Sequence, residues 1–357
     1  MHEMAAAVNG QIVTEDGDYD HRRLTTIYSD HDLPEHYASG QPATLHRSSL
    51  QRQCDSKAPE GLLIETRRTQ EFDGRLTAFV LSGGGSLGAL QVGMLHALLE
   101  AGIRPDLVVG TSIGALNAAF LAGHLDLEGI EAMTEFWYSV QRRDVFRINP
   151  RNLVRGTLGN QNYLFSQLGL RSLITRAEFG FSRLEDAPLP VHVVATDLFS
   201  GNPVVLSRGD TVEALLASSA IPGVFTPVCV EGQMLIDGGV VANLPVRQAL
   251  ELGASRLFVL PAMFGAAVAA PTSALDMMQH STTIATAALA RRELQEASET
   301  AEVYVLPFPA CGSVSMFDFS ETSTLIEKAY LSSSSWVQNQ GRLAFHTPPK
   351  NVALCAY

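Results

Sequence analysis

The sequence predicts an α/β domain with a mostly parallel central β-sheet. Apolar runs of strand length alternate with helix-length segments, and the first two predicted strands are each followed by a glycine-rich turn that opens into a helix. This alternation is typical of parallel strands joined by crossover helices. The 357 residues show no internal repeat and suffice for one large domain or two small ones; we expect one.

The elements follow from apolar runs and their periodicity. Strands are predicted over residues 76–81, 107–109, 191–196, 203–206, 234–236, 257–260 and 303–306. Helices are predicted over residues 89–101, from 115 onward, 211–219, 273–297 and 321–338. Between Phe146 and Ile174 the pattern weakens, which predicts a long connection that is either a lid or a surface loop.

The first part of the chain differs from the rest. Residues 1–70 are polar, lack sustained periodicity and contain Pro34, Pro42 and Pro59, which predicts a flexible N-terminal extension. The folded domain is therefore expected over residues 71–357. The acidic residues and histidines within 30–36 are assigned no metal site, because such polar segments are usually solvated.

Composition excludes several classes of function. The chain has 25 Lys and Arg against 37 Asp and Glu, and a net charge of -12 disfavours nucleic acid as a partner. The same net charge predicts no electrostatic attraction to anionic lipid headgroups. The four cysteines are far apart and lack CxxC spacing, so we expect no zinc site, no disulfide framework and a reducing compartment: Cys54, Cys229, Cys311 and Cys355.

Targeting signals are also absent from the pattern. The N-terminus lacks the basic and apolar segments of a secretory signal, and the apolar run 257–270 is too short to span a bilayer. We therefore expect a cytoplasmic protein, at most peripheral at membranes.

A serine stands between two glycines in GTSIG, residues 110–114, directly after the second predicted strand. The pentapeptide fits GxSxG, and a turn from strand to helix is where such a serine becomes an exposed nucleophile. Gly110 and Gly114 leave room for a strained turn, and the helix N-terminus favours negative charge at Ser112. The alternative is that Ser112 only caps the helix. The pentapeptide alone does not decide between them.

The stretch SGGGSLGAL, residues 82–90, also stands between a strand and a helix. It contains GxGxxG, but a dinucleotide site needs an acidic residue at the end of the next strand, and Asp106 precedes that strand. The other interpretation is an oxyanion hole made of consecutive glycine amides. Both turns leave the carboxyl ends of parallel strands, so one crevice can hold both.

A third stretch, LIDGGVVANLPV, covers residues 235–246. Asp237 ends an apolar run and precedes two glycines, which by itself is a common turn. A carboxylate beside a nucleophile and a donor loop fits the division of roles in acyl transfer.

GGGSLG, GTSIG and DGG, in this order, resemble the patatin-like phospholipases, a family of serine acyl hydrolases with a Ser–Asp dyad. The resemblance covers roughly Leu76 to Val337 and includes ASSAIPGVF at 217–225, Asn243-Leu244-Pro245 and the stretch from Asp318. It implies a three-layer α/β/α domain that cleaves carboxylic esters of phospholipids or related lipids. A lipid ester is the implied substrate, with transient membrane-surface contact.

The resemblance also implies roles for individual residues. Ser112 is the nucleophile, Asp237 is the general base that orients it, and Gly83, Gly84 and Gly85 form the oxyanion hole, without a metal or other cofactor. The chain departs from the family at Leu87, where the glycine loop usually carries Arg or Lys. The alternatives are an acyltransferase or thioesterase with the same dyad, and a non-catalytic lipid-binding protein.

Two further expectations concern the surroundings of the dyad. A conventional triad needs a histidine after Asp237, which leaves His280 and His346, and we expect neither to replace the aspartate. Phe136 and Trp137 lie on an apolar helix face, for which core packing is expected and the border of an acyl-chain tunnel is the alternative.

Overall fold

The computed structural model describes residues 75–147, 163–263, 274–309 and 315–343. Within these ranges the sheet consists of Thr77–Leu81 (β1), Leu107–Thr111 (β2), Val191–Asp197 (β3), Pro203–Leu206 (β4), Val228–Val230 (β5), Gln233–Asp237 (β6), Arg256–Leu260 (β7) and Glu302–Val305 (β8). The α-helices are Ala89–Glu100 (α1), Ile113–Gly123 (α2), Leu127–Ser139 (α3), Arg142–Val145 (α4), Leu168–Arg176 (α5), Thr211–Ser218 (α6), Val246–Glu251 (α7), Ala274–Ala297 (α8) and Thr322–Leu343 (α9). The predicted extension over residues 1–70 lies outside the described residues.

The eight strands form a single sheet in the order β5-β6-β3-β2-β1-β7-β8, and β4 also pairs with β3. Strands β3, β2, β1, β7 and β8 run parallel to their neighbours in that order. Strands β4 and β6 are antiparallel to β3, and β5 is antiparallel to β6. The predicted α/β class with a mostly parallel central sheet is therefore confirmed.

Helices cover both faces of this sheet. Successive side chains of a strand point to opposite faces, and β1 shows the division. Phe79 and Leu81 belong to the core that contains α1, α2 and α3, whereas Ala78 and Val80 belong to a second core with residues of α7 and α8. The result is the three-layer α/β/α arrangement that the sequence resemblance implies.

The largest departure from the predicted elements is α5. The segment from Phe146 to Ile174 was expected to be a connection, but its described end forms the nine-residue helix Leu168–Arg176. Leu170, Leu173 and Ile174 are buried, while Arg171 is partly exposed. Leu170, Leu173 and Ile174 recur at helical spacing, but the helix is only nine residues long and follows a stretch rich in Asn, Gly and Arg, which favoured a connection over the whole segment. Residues 148–162 lie outside the described ranges.

Two findings concern cysteines and membranes. Cys229 is disulfide-bonded, so the expectation of no disulfide framework is wrong at this position. Spacing along the chain does not report which cysteines become neighbours in the fold; Cys54, Cys311 and Cys355 lie outside the described residues. None of the described helices is long and apolar enough to cross a membrane.

Candidate active site

The serine turn begins where β2 ends. Ser112 has φ 54 and ψ -123, and a positive φ is rare for a residue other than glycine. Such a conformation costs roughly 1–3 kcal/mol and persists only where the surrounding structure fixes it. Ser112 stands at the N-cap position of α2, yet its side chain makes no capping hydrogen bond. The hydroxyl is thus directed to a partner other than the helix, and the capping interpretation is excluded.

The glycines of GTSIG are required by close packing. A Cβ atom on Gly110 would clash with the carbonyl of Gly114, and one on Gly114 would clash with the carbonyl oxygens of Leu81 and Ser82. The start of α2 therefore lies against the end of β1. This contact brings the serine turn next to the glycine loop that follows β1.

Asp237 reaches the site through strand register. Strand β6 is antiparallel to β3, so the rule that parallel strands end at one edge does not apply to it. Asp237 pairs with Ala195 of β3, and the preceding residue of β3, Val194, pairs with Thr111 of β2. Asp237 therefore lies level with the end of β2, next to Ser112.

The two side chains are in direct contact. The Ser112 hydroxyl donates a hydrogen bond of 2.8 Å to Oδ2 of Asp237, and the amide of Gly239 donates one of 2.7 Å to Oδ1. Asp237 is only 6% exposed. Burial raises the pKa of Asp237 to about 6, against the opposing effect of the bonds from Gly239 and Ser112. The carboxylate is therefore a stronger base than a solvated aspartate and still ionised at neutral pH.

Ser218, at the end of α6, holds the backbone of the serine turn. The amide of Ser112 donates to Oγ of Ser218 at 2.8 Å, and this hydroxyl donates to the carbonyl of Val194 at 2.6 Å. The amide of Asp237 donates to the carbonyl of Ala220 at 3.0 Å. The ASSAIPGVF segment thus fixes both partners of the contact from one side.

The glycine loop lies beside Ser112, and its three predicted donors are not equivalent. A Cβ on Gly83 would stand 3.3 Å from Cβ of Ser112. The amide of Gly83 already donates to the carbonyl of Asn243 at 3.0 Å, whereas the amides of Gly84 and Gly85 donate to no acceptor among the described residues. Gly85 has φ 59 and lines the same cavity as Ser112. The amides left open for a ligand are those of Gly84 and Gly85.

An apolar cavity of about 60 Å³ extends from Ser112 into the domain. Its walls come from α2, α3, α5, the residues in and around α4, the segment after α6 and the segment before α9. Apart from Gly85 and the hydroxyls of Ser112 and Ser219, it is lined by Ile113, Leu116, Phe136, Trp137, Val140, Val145, Phe146, Leu170, Leu173, Ile221, Phe225, Met316, Phe317 and Phe319. Phe136 and Trp137 therefore both pack in the core and border the cavity. Such walls suit a hydrocarbon chain and exclude charged groups.

A buried polar chain connects this cavity wall to the glycine loop. Trp137 Nε1 donates to Oδ1 of Asn117 at 2.9 Å, and Nδ2 of Asn117 donates to Oε1 of Gln91 at 2.9 Å. Gln91 Nε2 in turn donates to the carbonyls of Ser82 at 2.8 Å and Leu260 at 3.0 Å. These residues were not singled out from the sequence, where the signal is a polar residue at a buried position of an apolar helix.

The histidines and Leu87 occupy other places. No histidine is among the described residues that line the cavity; His280 belongs to α8, whose apolar residues pack in the second core, and His346 lies outside the described residues. His192 is largely buried and its Nδ1 lies 2.7 Å from Oγ of Ser207, as expected for a structural histidine. Leu87 is 3% exposed and packs in the core.

Known proteins share this part of the chain. Residues 79–250 match the family model described as Patatin-like phospholipase. Lysophospholipase nte1 of Aspergillus terreus is 33% identical over 196 residues, which is 54% of this chain and 12% of that protein. Patatin-like phospholipase domain-containing protein 7 of Rattus norvegicus is 32% identical over 195 residues, which is 53% of this chain and 14% of that protein.

A bacterial relative shows the same partial coverage. An uncharacterised NTE family protein of Mycobacterium tuberculosis is 33% identical over 173 residues, which is 48% of this chain and 28% of that protein. The chain thus matches between 12% and 28% of the length of these three relatives.

Proposed function

Because this chain is a member of the patatin-like phospholipase family over residues 79–250, we propose that it hydrolyses carboxylic esters of lipids through an acyl-enzyme on Ser112. The observation that carries the proposal is the 2.8 Å hydrogen bond from the Ser112 hydroxyl to the buried carboxylate of Asp237. We further propose that the hydrolase domain extends over residues 71–357.

In the first half-reaction, the Ser112 hydroxyl transfers its proton to Oδ2 of Asp237 while Oγ forms a bond to the ester carbonyl carbon. The carbonyl oxygen becomes negative and accepts hydrogen bonds from the amides of Gly84 and Gly85. Each such donor is worth about 2.7–4 kcal/mol of transition-state stabilisation in related acyl-transfer chemistry. The amide of Ile113, which follows the nucleophile at the start of α2, is a third candidate donor.

Collapse of this intermediate breaks the bond to the leaving alcohol, which takes the proton from Asp237. Water then attacks the acyl-enzyme, Asp237 accepts a proton from it, and the acid is released as Ser112 regains its hydrogen. Gly83 has a positioning role, because the hydrogen bond from its amide to the carbonyl of Asn243 holds the glycine loop against the segment after Asp237.

The apolar cavity supports a lipid as the source of the ester. At about 60 Å³ the cavity is smaller than a whole acyl chain, so it holds only the methylenes next to a carbonyl placed at Ser112. Removing each of these methylenes from water contributes about 0.8 kcal/mol. Two of the relatives carry the names lysophospholipase and patatin-like phospholipase domain-containing protein, which agrees with a phospholipid or lysophospholipid as substrate.

Labelling with a fluorophosphonate and assays on lysophospholipids and short esters test the proposal. We expect Ser112→Ala to abolish labelling and to lower kcat by about 10⁴-fold or more. Ser219→Ala is the matched control, because this serine lines the same cavity and is given no part in the chemistry. Unchanged labelling and turnover in Ser112→Ala would contradict the proposal.

A further inference from the structure

Helix α5 separates two environments. Its buried residues Leu170 and Leu173 line the apolar cavity that contains Ser112. Its other face borders an open groove of about 530 Å³, lined by Arg147, Leu168, Arg171, Ser172, Thr175 and Arg176. The cavity for a hydrocarbon chain and a cationic surface groove therefore lie on opposite sides of one helix.

Positive charge is concentrated around this groove. The described residues 141–147 and 163–176 contain five arginines: Arg142, Arg143, Arg147, Arg171 and Arg176. Asp144 is the single acidic residue in the same two ranges, and its Oδ2 accepts a hydrogen bond of 2.9 Å from the amide of Gln141. The overall charge of -12 thus conceals a local excess of cations.

Most of these arginines are not neutralised by a carboxylate. Arg171 pairs with Glu213 at 2.7 Å, and Arg142 is close enough to Asp318 to help lower the pKa of that carboxyl. Arg142, Arg143, Arg147 and Arg176 make no ion pair within 4.0 Å of a carboxylate of the described residues. Arg176 donates to Oγ of Ser139 at 3.4 Å and lies 5.9 Å from the ring centre of Phe136. Arg142, Arg143 and Arg147 are exposed residues.

Exposed apolar side chains accompany the arginines. Leu168, which lines the groove, is 67% exposed, and Tyr138, next to Ser139 on α3, is 55% exposed. Cations that attract anionic headgroups, together with apolar and aromatic side chains that insert between them, are the combination that holds proteins at a lipid interface. A nucleic acid or acidic peptide would not explain the exposed leucine.

We infer that these five arginines, with Leu168 and Tyr138, form a surface, the arginine face, that docks the protein on a bilayer containing anionic lipids. Charges in solution are screened beyond about 8–10 Å, so the local cations govern this contact despite the net negative charge. Docking through α5 holds the acyl cavity close to the lipid phase. The choice of a lipid surface as the partner rests on the proposed function.

Binding to vesicles tests the arginine face apart from catalysis. Full-length protein with Ser112→Ala, which cannot consume the lipid, is sedimented with vesicles of phosphatidylcholine alone or of equal parts phosphatidylcholine and phosphatidylserine. We expect tighter binding to the anionic vesicles and loss of that preference at high salt. Replacing Arg142, Arg143 and Arg147 by Gln should weaken binding to anionic vesicles by about a hundredfold, since each cation contributes about fivefold.

A control variant with the same change of net charge carries Arg183→Gln, Arg247→Gln and Arg292→Gln, three exposed arginines paired with nearby glutamates. It should bind anionic vesicles as the parent does, and thermal denaturation verifies that both variants are folded. Equal binding to the two vesicle types, or an equal loss in the control, would overturn the docking surface. Neither result affects the hydrolase proposal, which the labelling of Ser112 tests separately.

Discussion

Two turns leave the neighbouring strands β1 and β2 at the same edge of the sheet and present different chemical groups. The turn after β2 presents a side chain: Ser112 has φ 54, and its own amide is engaged by Ser218. The turn after β1 presents backbone: Gly85 has φ 59, which glycine adopts without strain, and its amide is open. Both turns therefore use a residue with a positive φ. This conformation is costly at Ser112, which has a side chain, and not at Gly85, which has none.

The largest effect is expected from removal of the proposed base of Ser112. Asp237→Asn should lower kcat by about 10⁴-fold, because an amide cannot accept the Ser112 proton. His280→Ala is the control and should retain turnover, since this histidine is not among the residues lining the cavity. The opposite pattern would indicate a conventional triad and overturn the role of Asp237.

The second effect concerns the glycine turn. Gly85→Ala should lower kcat by about 10²–10³-fold, because a Cβ at this positive φ would meet the carbonyl of Met316 and displace the amide from its open position. Gly102→Ala is matched to it, since Gly102 has φ 76 and open space around the added Cβ. Equal losses in the two variants would show that backbone strain, not the donor position, limits activity.

A third effect follows from the raised pKa of Asp237. Turnover should fall about tenfold per pH unit below a midpoint near pH 6, because the protonated carboxyl cannot accept the Ser112 proton. The folded protein also binds this proton more tightly than the unfolded chain, so stability falls as pH rises from about 4 through 6. At pH 8, Asp237→Asn should therefore raise Tm. An activity midpoint near pH 4 would argue against the buried carboxylate as base.

The smallest effect isolates backbone strain in the serine turn. Ser112→Gly and Ser112→Ala both lack the hydroxyl, so the difference in their unfolding free energies reports the backbone. Glycine should be the more stable of the two by about 1 kcal/mol, which denaturant unfolding can measure. At Ser281, an exposed position of α8, alanine should be more stable by a similar amount. Greater stability of alanine at both positions would show that Ser112 is unstrained.

The sequence predicted the two turns better than the strand pairing and hydrogen bonds that hold them in place. Strand runs, glycines and helix starts are local signals, so the position of Ser112 between β2 and α2 followed from a few neighbouring residues. The antiparallel direction of β6 did not, because it depends on pairing with β3 far along the chain. The hydrogen bond from the Gly83 amide to the Asn243 carbonyl also depends on pairing far along the chain. It occupies one of the three glycine amides that were expected to donate in the oxyanion hole.

The remaining differences have separate causes. Helix α5 is amphipathic but short, and it follows a stretch rich in Asn, Gly and Arg that favoured a loop, whereas the partner of Cys229 is set by the fold. The net charge did not reveal the arginine face either, because a sum of charges over 357 residues contains no information on where the charges lie. The roles of Ser112, Asp237 and the glycine amides remain predictions until the variants are measured.

The pairing of β6 with β3 also determines when reactivity can arise during synthesis. Ser112 and Asp237 are separated by 125 positions, so the hydroxyl leaves the ribosome long before the carboxylate exists. A nascent or truncated chain ending before β6 contains Ser112 but lacks Asp237, the proposed proton acceptor. If Asp237 is the base, as we propose, ester cleavage begins only after β6 has been translated and has joined the sheet.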